Sequence, residues 1–148
     1  MATRTVIPSS RVWSKVGYSR AVRTGDLIEI AGTSPSGPDG KIMYPGDPYR
    51  QAKYVFDVIL KAVRALGGDD TDVVRTRVFV TDITKWEEAG RAHFEAFGQA
   101  PPASAFYEVS ALLHPDLTIE VEATAIIGSG ASSESIEVTD WIDDEPSA

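Results

Sequence analysis

The chain has 148 residues, 43% of them hydrophobic and 24% charged, with a formal net charge of −8 and no cysteine. That size suits one domain with a real core, and the missing cysteine excludes a disulfide scaffold, a thiolate metal site and a cysteine nucleophile. The acidic balance, with no Lys/Arg patch interleaved with aromatics, argues against nucleic acid as a partner.

No apolar run approaches the ~20 residues that span a bilayer. Met1 to Thr5 lacks a hydrophobic signal core. A cytoplasmic protein without a membrane partner is expected.

Taken in chain order, Arg11 to Val16 alternates, with Val12, Ser14 and Val16 on one face, and predicts a first strand. Ser19 to Arg23 is a short mixed strand, and Thr24-Gly25-Asp26 is a turn. Leu27 to Ala31 predicts a strand ending at Gly32. Ser34 to Asp47 is rich in Gly and Pro and reads as loop, with Pro38-Asp39-Gly40 as its tight turn.

A helix follows from Pro48 to Leu66, with Asp47 as N-cap and Pro48 at the first helical position. Ala52, Val55, Phe56, Ile59, Leu60, Val63 and Leu66 give it one apolar face, and Gly67-Gly68 stops it. Val73 to Thr81 is a β-branched strand. A second helix over Lys85 to Gly98, capped by Thr84 or Asp82, carries Trp86, Ala89, His93 and Phe97 on its apolar face. Ala103 to Val109 and Leu117 to Ile127 complete the strands. Domain and tail divide at Gly128, giving a domain over 1–128 and an acidic Gly/Ser-linked tail over 129–148. The tail is expected to be dispensable for folding. In it Ile136, Val138 and Asp140 alternate with Glu137, Thr139 and Trp141, which suits either disorder or a short docked strand.

The order β-β-β-α-β-α-β-β is that of an α+β domain. Two helices cannot cover both faces of such a sheet, so they should share one face and leave the other for an oligomer partner.

Several residues carry possible chemistry. Glu120 and Glu122 lie two apart in an apolar strand and therefore share a face. Glu122 reads either as an ordinary surface carboxylate or as a general base, with Glu120 able to raise its pKa if the two are close and desolvated. Ser104, Phe106 and Glu108 share one face of their strand, and Ala105, Tyr107 and Val109 the other. A nucleophilic Ser104 would need a nearby base. His93 reads as a core histidine and His114, before Pro115, as a polar loop residue; two isolated histidines make no metal motif.

Five segments, in order, resemble the RidA/YjgF family, also called the L-PSP endoribonuclease family. They are Gly17-Tyr18-Ser19-Arg20-Ala21-Val22, Gly25 to Gly32, Val74 to Asp82, Pro101-Pro102-Ala103, and Ile119-Glu120-Val121-Glu122-Ala123. The resemblance implies a chorismate-mutase-like single domain assembled as a homotrimer with small-molecule clefts between subunits. It also implies hydrolysis of enamines and imines such as 2-aminoacrylate, without metal or organic cofactor. By that resemblance Glu122 positions the attacking water, Tyr18 stacks on the ligand and the Gly32 backbone lines the cleft; Tyr18 reads equally as an interface aromatic, and Gly32 as close packing at the strand end.

Three positions depart from the family pattern. Ser104 replaces the arginine that clamps the substrate carboxylate, Phe106 stands where a small residue or cysteine is usual, and Gly90 where asparagine is. With Ser104, Phe106 and Glu108 as substrate-binding candidates, the cleft is expected to be neutral and partly aromatic. The family's usual acid would then bind poorly, since a carboxylate without a cation is costly to desolvate. A Rid-like hydrolase or deaminase is expected, with a non-catalytic trimeric metabolite binder as the alternative and a ribonuclease or translation inhibitor last.

Overall fold

The computed structural model describes residues 3–138. Its strands and α-helices are β1 (Arg4–Pro8), β2 (Ser19–Thr24), β3 (Leu27–Thr33), α1 (Pro48–Ala65), β4 (Val73–Val80), α2 (Trp86–Phe97), β5 (Ala103–Glu108) and β6 (Ile119–Ile126). The strands form one mixed sheet in the order β1-β2-β3-β6-β4-β5. All pairings are antiparallel except β4–β5, whose parallel strands are joined by the α2 crossover.

Period-2 alternation divides the sheet faces. Ile119, Val121, Ala123 and Ala125 of β6, Val78 and Val80 of β4, and Ile28 and Ile30 of β3 are buried. They pack with Val55, Phe56, Ile59 and Val63 of α1 and with Ala89, Ala92 and Phe97 of α2 in one core. The fold is thus α+β with both helices on one face. The other face carries Glu29, Arg77, Phe79, Glu120 and Glu122, together with Leu27, Tyr107 and Ile126, all three exposed although apolar.

The first strand differs from expectation. Residues 11–16 turn rather than extend, ending in a 3-10 turn over Ser14–Val16, and Val12 is 70% exposed. Trp13, Val16 and Gly17 donate their amides to Ser10, Trp13 and Ser14, so local bonds replace a ladder. Gly17 closes the turn at φ 80°, where a side chain would be strained. The actual first strand, with its β-branched Thr5-Val6-Ile7, pairs with β2 from Arg4↔Thr24 to Ile7↔Ala21.

A side-chain cap opens α1 and another opens the short 3-10 turn before α2, whose own N-cap residue Lys85 makes no side-chain bond. Asp47 accepts the Arg50 amide at 3.0 Å at the start of α1. Asp82 accepts the Thr84 amide at the 3-10 turn Ile83–Lys85 that leads into α2. Trp86 is 51% exposed and not part of the apolar face; Ala92 takes that place.

Gln51 is fully buried in α1 and spends its whole amide on four bonds. It donates to the Met43 and Asp116 carbonyls and accepts from the Thr118 amide and hydroxyl. It thereby ties the Gly/Pro loop and the entry to β6 to one helix.

The folded body extends past Gly128. Ser129–Ala131 form a 3-10 turn docked on Asp72, the Gly130 amide donating to Asp72 Oδ1 at 2.9 Å and the Ser129 hydroxyl to the Asp72 carbonyl at 3.3 Å. Residues 132–138 are exposed without regular structure, Ile136 included. Thr139, Asp140 and Trp141 lie outside the described residues. No helix among the described residues is long and apolar enough to cross a membrane.

Candidate functional site

Glu120 and Glu122 alternate with buried residues along β6 and project from the open face of the sheet. Their surroundings differ. In the β4–β6 register Glu122 stands opposite Arg77, while Glu120 stands opposite Phe79, whose ring stacks on Tyr107 with centroids 6.0 Å apart. On the other flank the β3–β6 register shifts between Ile30 and Thr33, and this irregularity sets Gly32 beside Glu120. A Cβ on Gly32 would lie 3.2 Å from the Glu120 carboxyl carbon and Oε2. Burial pushes the Glu120 carboxyl above the ordinary glutamate value, and the neighbouring Glu122 charge adds to the shift.

Tyr18 and Gly32 line a common groove of about 450 Å³ with Arg11, Trp13, Arg20 and Tyr54. Gly32 is thus shared by this groove and by the approach to Glu120, which does not itself line the groove.

The β5 candidates lie on the opposite, helix-bearing side. Thr76, fully buried on β4, donates its hydroxyl to Ser104 Oγ at 2.7 Å and lies 2.7 Å from His93 Nε2 on α2. The His93 ring packs against Phe56, Phe97 and Phe106 at centroid distances of 5.4, 4.8 and 5.9 Å. Burial lowers its pKa. Phe106 is half-buried and packs on the core, so its ring is shared between core and surface. Glu108 Oε1 accepts the Ile83 amide at 3.2 Å and holds the β4–α2 connection.

Within one copy, then, the predicted residues do not share one pocket: Tyr18 and Gly32 line one groove, Gly32 also adjoins Glu120, Glu122 lines a separate depression with Ser19, Glu29 and Arg77, and Ser104, Phe106 and Glu108 lie apart on β5. Arg91 reaches none of these, its guanidinium lying 3.9 Å over the Tyr49 ring. Among the described residues no cluster of His, Asp or Glu is arranged to hold a metal ion.

Two features were missed in the sequence. The resemblance favours Glu122, but the shifted register of β3 gives the close approach to Glu120. No single-sequence signal shows that shift, though a glycine at a strand end allows close approach. The Thr76–His93 bond had a partial signal, because Thr76 shares parity with the buried Val78 and Val80 and so had to point toward a helix.

The Endoribonuclease L-PSP family model matches residues 9–127. The chain belongs to this family. The matched span takes in Tyr18, Gly32, Ser104 and both β6 glutamates, and stops short of the segment docked on Asp72. A RutC family protein of Pyrococcus abyssi is 33% identical over 108 residues, covering 73% of this chain and 84% of its own. An uncharacterized protein of Streptomyces coelicolor is 32% identical over 129 residues, covering 86% and 95%.

Solved L-PSP relatives share the fold. Rv2704 of Mycobacterium tuberculosis, a member of the YjgF/YER057c/UK114 family, superposes with a TM-score of 0.76 at 42% identity over 84% of this chain and all of its own. The YjgF gene product of E. coli superposes at 0.70 with 29% identity, over 81% and 92%.

Proposed function

We infer that the protein hydrolyses a small imine, enamine or related carbonyl compound in a cleft formed between copies of the chain. The observation that carries this is Glu120: a half-buried carboxylate beside Gly32, opposite an aromatic ring rather than a cation, with its pKa displaced upward. A carboxylate so placed is a stronger base than an exposed one.

The chemistry needs no metal or organic cofactor. Glu120 takes a proton from water as the water oxygen bonds to the imine carbon, and returns that proton to the imine nitrogen to give the carbinolamine. Glu120 then takes the carbinolamine hydroxyl proton and passes it to the nitrogen as the C–N bond breaks, which leaves a carbonyl and an amine or ammonia.

The separation of the β5 residues from Glu120 supports a cleft between copies. Ser104 and Glu120 lie on opposite sides of one sheet, so a small molecule meets both only when a second copy supplies one of them. The exposed Leu27, Ile126 and Tyr107 on the open face suit burial in such an assembly, proposed as a homotrimer. Ser104 offers no charge to a carboxylate, so 2-aminoacrylate is not the preferred substrate. RNA is also disfavoured, because the net charge is −8 and Glu29, Glu120 and Glu122 share the open face.

The test is release of carbonyl product from a panel of small imines generated in situ, charged and neutral, by wild type and Glu120→Gln. Faster-than-buffer hydrolysis that drops with Glu120→Gln supports the reading. Hydrolysis at the buffer rate across the panel, or a monomer by light scattering, removes it.

A further inference from the structure

The three polar groups between β4, β5 and α2 carry a consequence in proton counting. Thr76 has one hydroxyl proton and spends it on Ser104. Toward His93 it can then act only as an acceptor, so the proton of that 2.7 Å bond belongs to His93 Nε2. The chain runs one way, from His93 Nε2–H to the Thr76 hydroxyl to the Ser104 oxygen. Ser104, exposed on the edge strand, keeps its own proton free to donate outward. We propose that this chain makes the Ser104 hydroxyl a polarised donor for an uncharged carbonyl or imine acceptor, with Thr76 and His93 as positioning residues.

The surroundings support a neutral ligand. The histidine packs against Phe56, Phe97 and Phe106, and desolvation of its half-buried ring lowers its pKa, which favours the neutral form. Among the described residues the Ser104 side chain bonds to Thr76 and to no cation. A carboxylate asks for two donors and a countercharge, whereas a carbonyl or imine asks for one donor, which is what Ser104 has. Thr76 is fully buried, so its geometry is fixed by the core. Bonds in series polarise one another, which strengthens the last donor.

This deepens the hydrolase reading and rests on it, because the group held at Ser104 would be the acceptor end of the molecule attacked near Glu120.

The experiment uses the full chain, which has two histidines. Long-range ¹H–¹⁵N spectra report each ring's tautomer, with His114 as internal control. The expected result is a neutral His93 with its proton on Nε2. Titration of 2-pyrrolidinone, a neutral lactam, should move the Ser104 amide and His93 Nε2 together, and pyruvate should move them less.

Thr76→Val should uncouple His93 from the lactam and weaken its binding about 2- to 10-fold, the range of one neutral hydrogen bond. Should Thr76→Val fail to fold, His93→Gln, which keeps a donor near the Nε2 position, should bind the lactam more tightly than His93→Leu. A proton on Nδ1, pyruvate moving Ser104 as strongly as the lactam, or equal affinity in the Gln and Leu variants would each overturn the proposal.

Glu120→Gln separates the two readings. Lost turnover with intact lactam coupling supports both. Unchanged turnover removes the hydrolase reading while the lactam spectra still judge Ser104.

Discussion

Phe79 stands directly opposite Glu120 across the β4–β6 pair, and its ring stacks on Tyr107. The neighbouring pair sets Arg77 opposite Glu122. Two glutamates on one strand and one face thus stand opposite different residues, an aromatic ring for Glu120 and an arginine for Glu122, the latter without a direct ion pair. Environment rather than residue type separates their roles.

Glu120→Gln should therefore lower kcat for an imine substrate by about 10²–10⁴-fold, the usual contribution of a positioned base. Glu122→Gln should cost less than about tenfold. Steady-state kinetics on both variants check this, and a larger loss at Glu122 would return the base to the residue favoured by the family resemblance.

The pH dependence follows from the same carboxylate. The folded pKa of Glu120 lies above its ordinary value of 4.5. Activity should fall as pH drops through that raised value, because the base becomes protonated. The stability effect runs the other way. Ionised Glu120 opposes folding above the folded pKa, and this penalty vanishes as pH falls below the ordinary value. Glu120→Gln should thus be more stable than wild type at pH 7, with the difference closing toward pH 4. Thermal melts across that range test it, and a Gln variant less stable at pH 7 would contradict it.

Gly32→Ala addresses the close approach. Gly32 does not lie at positive φ, so alanine brings no backbone strain. The new methyl would press on the Glu120 carboxylate at 3.2 Å. Stability should stay within about 0.5 kcal/mol of wild type, while kcat falls as the carboxylate shifts. A variant with unchanged kcat would show that Glu120 need not lie over Gly32.

The two helices, the Asp47 cap and five of the six strands were legible in the sequence because each rests on local periodicity and capping. The first strand was not. Arg11 to Val16 alternates as a strand would, but its amides close i→i+3 turns, and the sheet edge goes to Arg4–Pro8 through pairing with β2. Pairing is non-local and leaves no periodic trace. For the same reason Glu120 and Glu122 were equivalent by strand parity and became distinct only through the β3 register shift beside Gly32. That Ser104, Phe106 and Glu108 share a face followed from parity, but that this face bears the helices needed the fold. The Ser104 bond to Thr76 joins residues 28 positions apart and needed it too.

The last prediction concerns where the domain ends. Asp72 is buried, and burial alone would raise its pKa. Bonds from the Gly130 and Asp69 amides outweigh that and hold the carboxyl below its ordinary value of 3.8. A lowered folded pKa stabilises the fold fully above the ordinary value, and the contribution is lost as pH falls through the folded value. Truncation after Gly128 removes the Gly130 amide and the Ser129 hydroxyl from Asp72. The loss should be about 1.5 kcal/mol, that of a hydrogen bond to a charged group, or roughly 3–6 °C in Tm at this chain length. Truncation after Ser132 should keep the wild-type Tm, because residues 132–138 are exposed and make no comparable bond. Gly130→Ala should behave like the shorter truncation, since its Cβ would collide with the Thr71 backbone. Both of these losses should shrink as pH falls below the ordinary value of 3.8 and on through the lower folded value, where Asp72 becomes protonated. An unchanged Tm after truncation at Gly128 would return the boundary to that glycine and make the docking on Asp72 energetically idle.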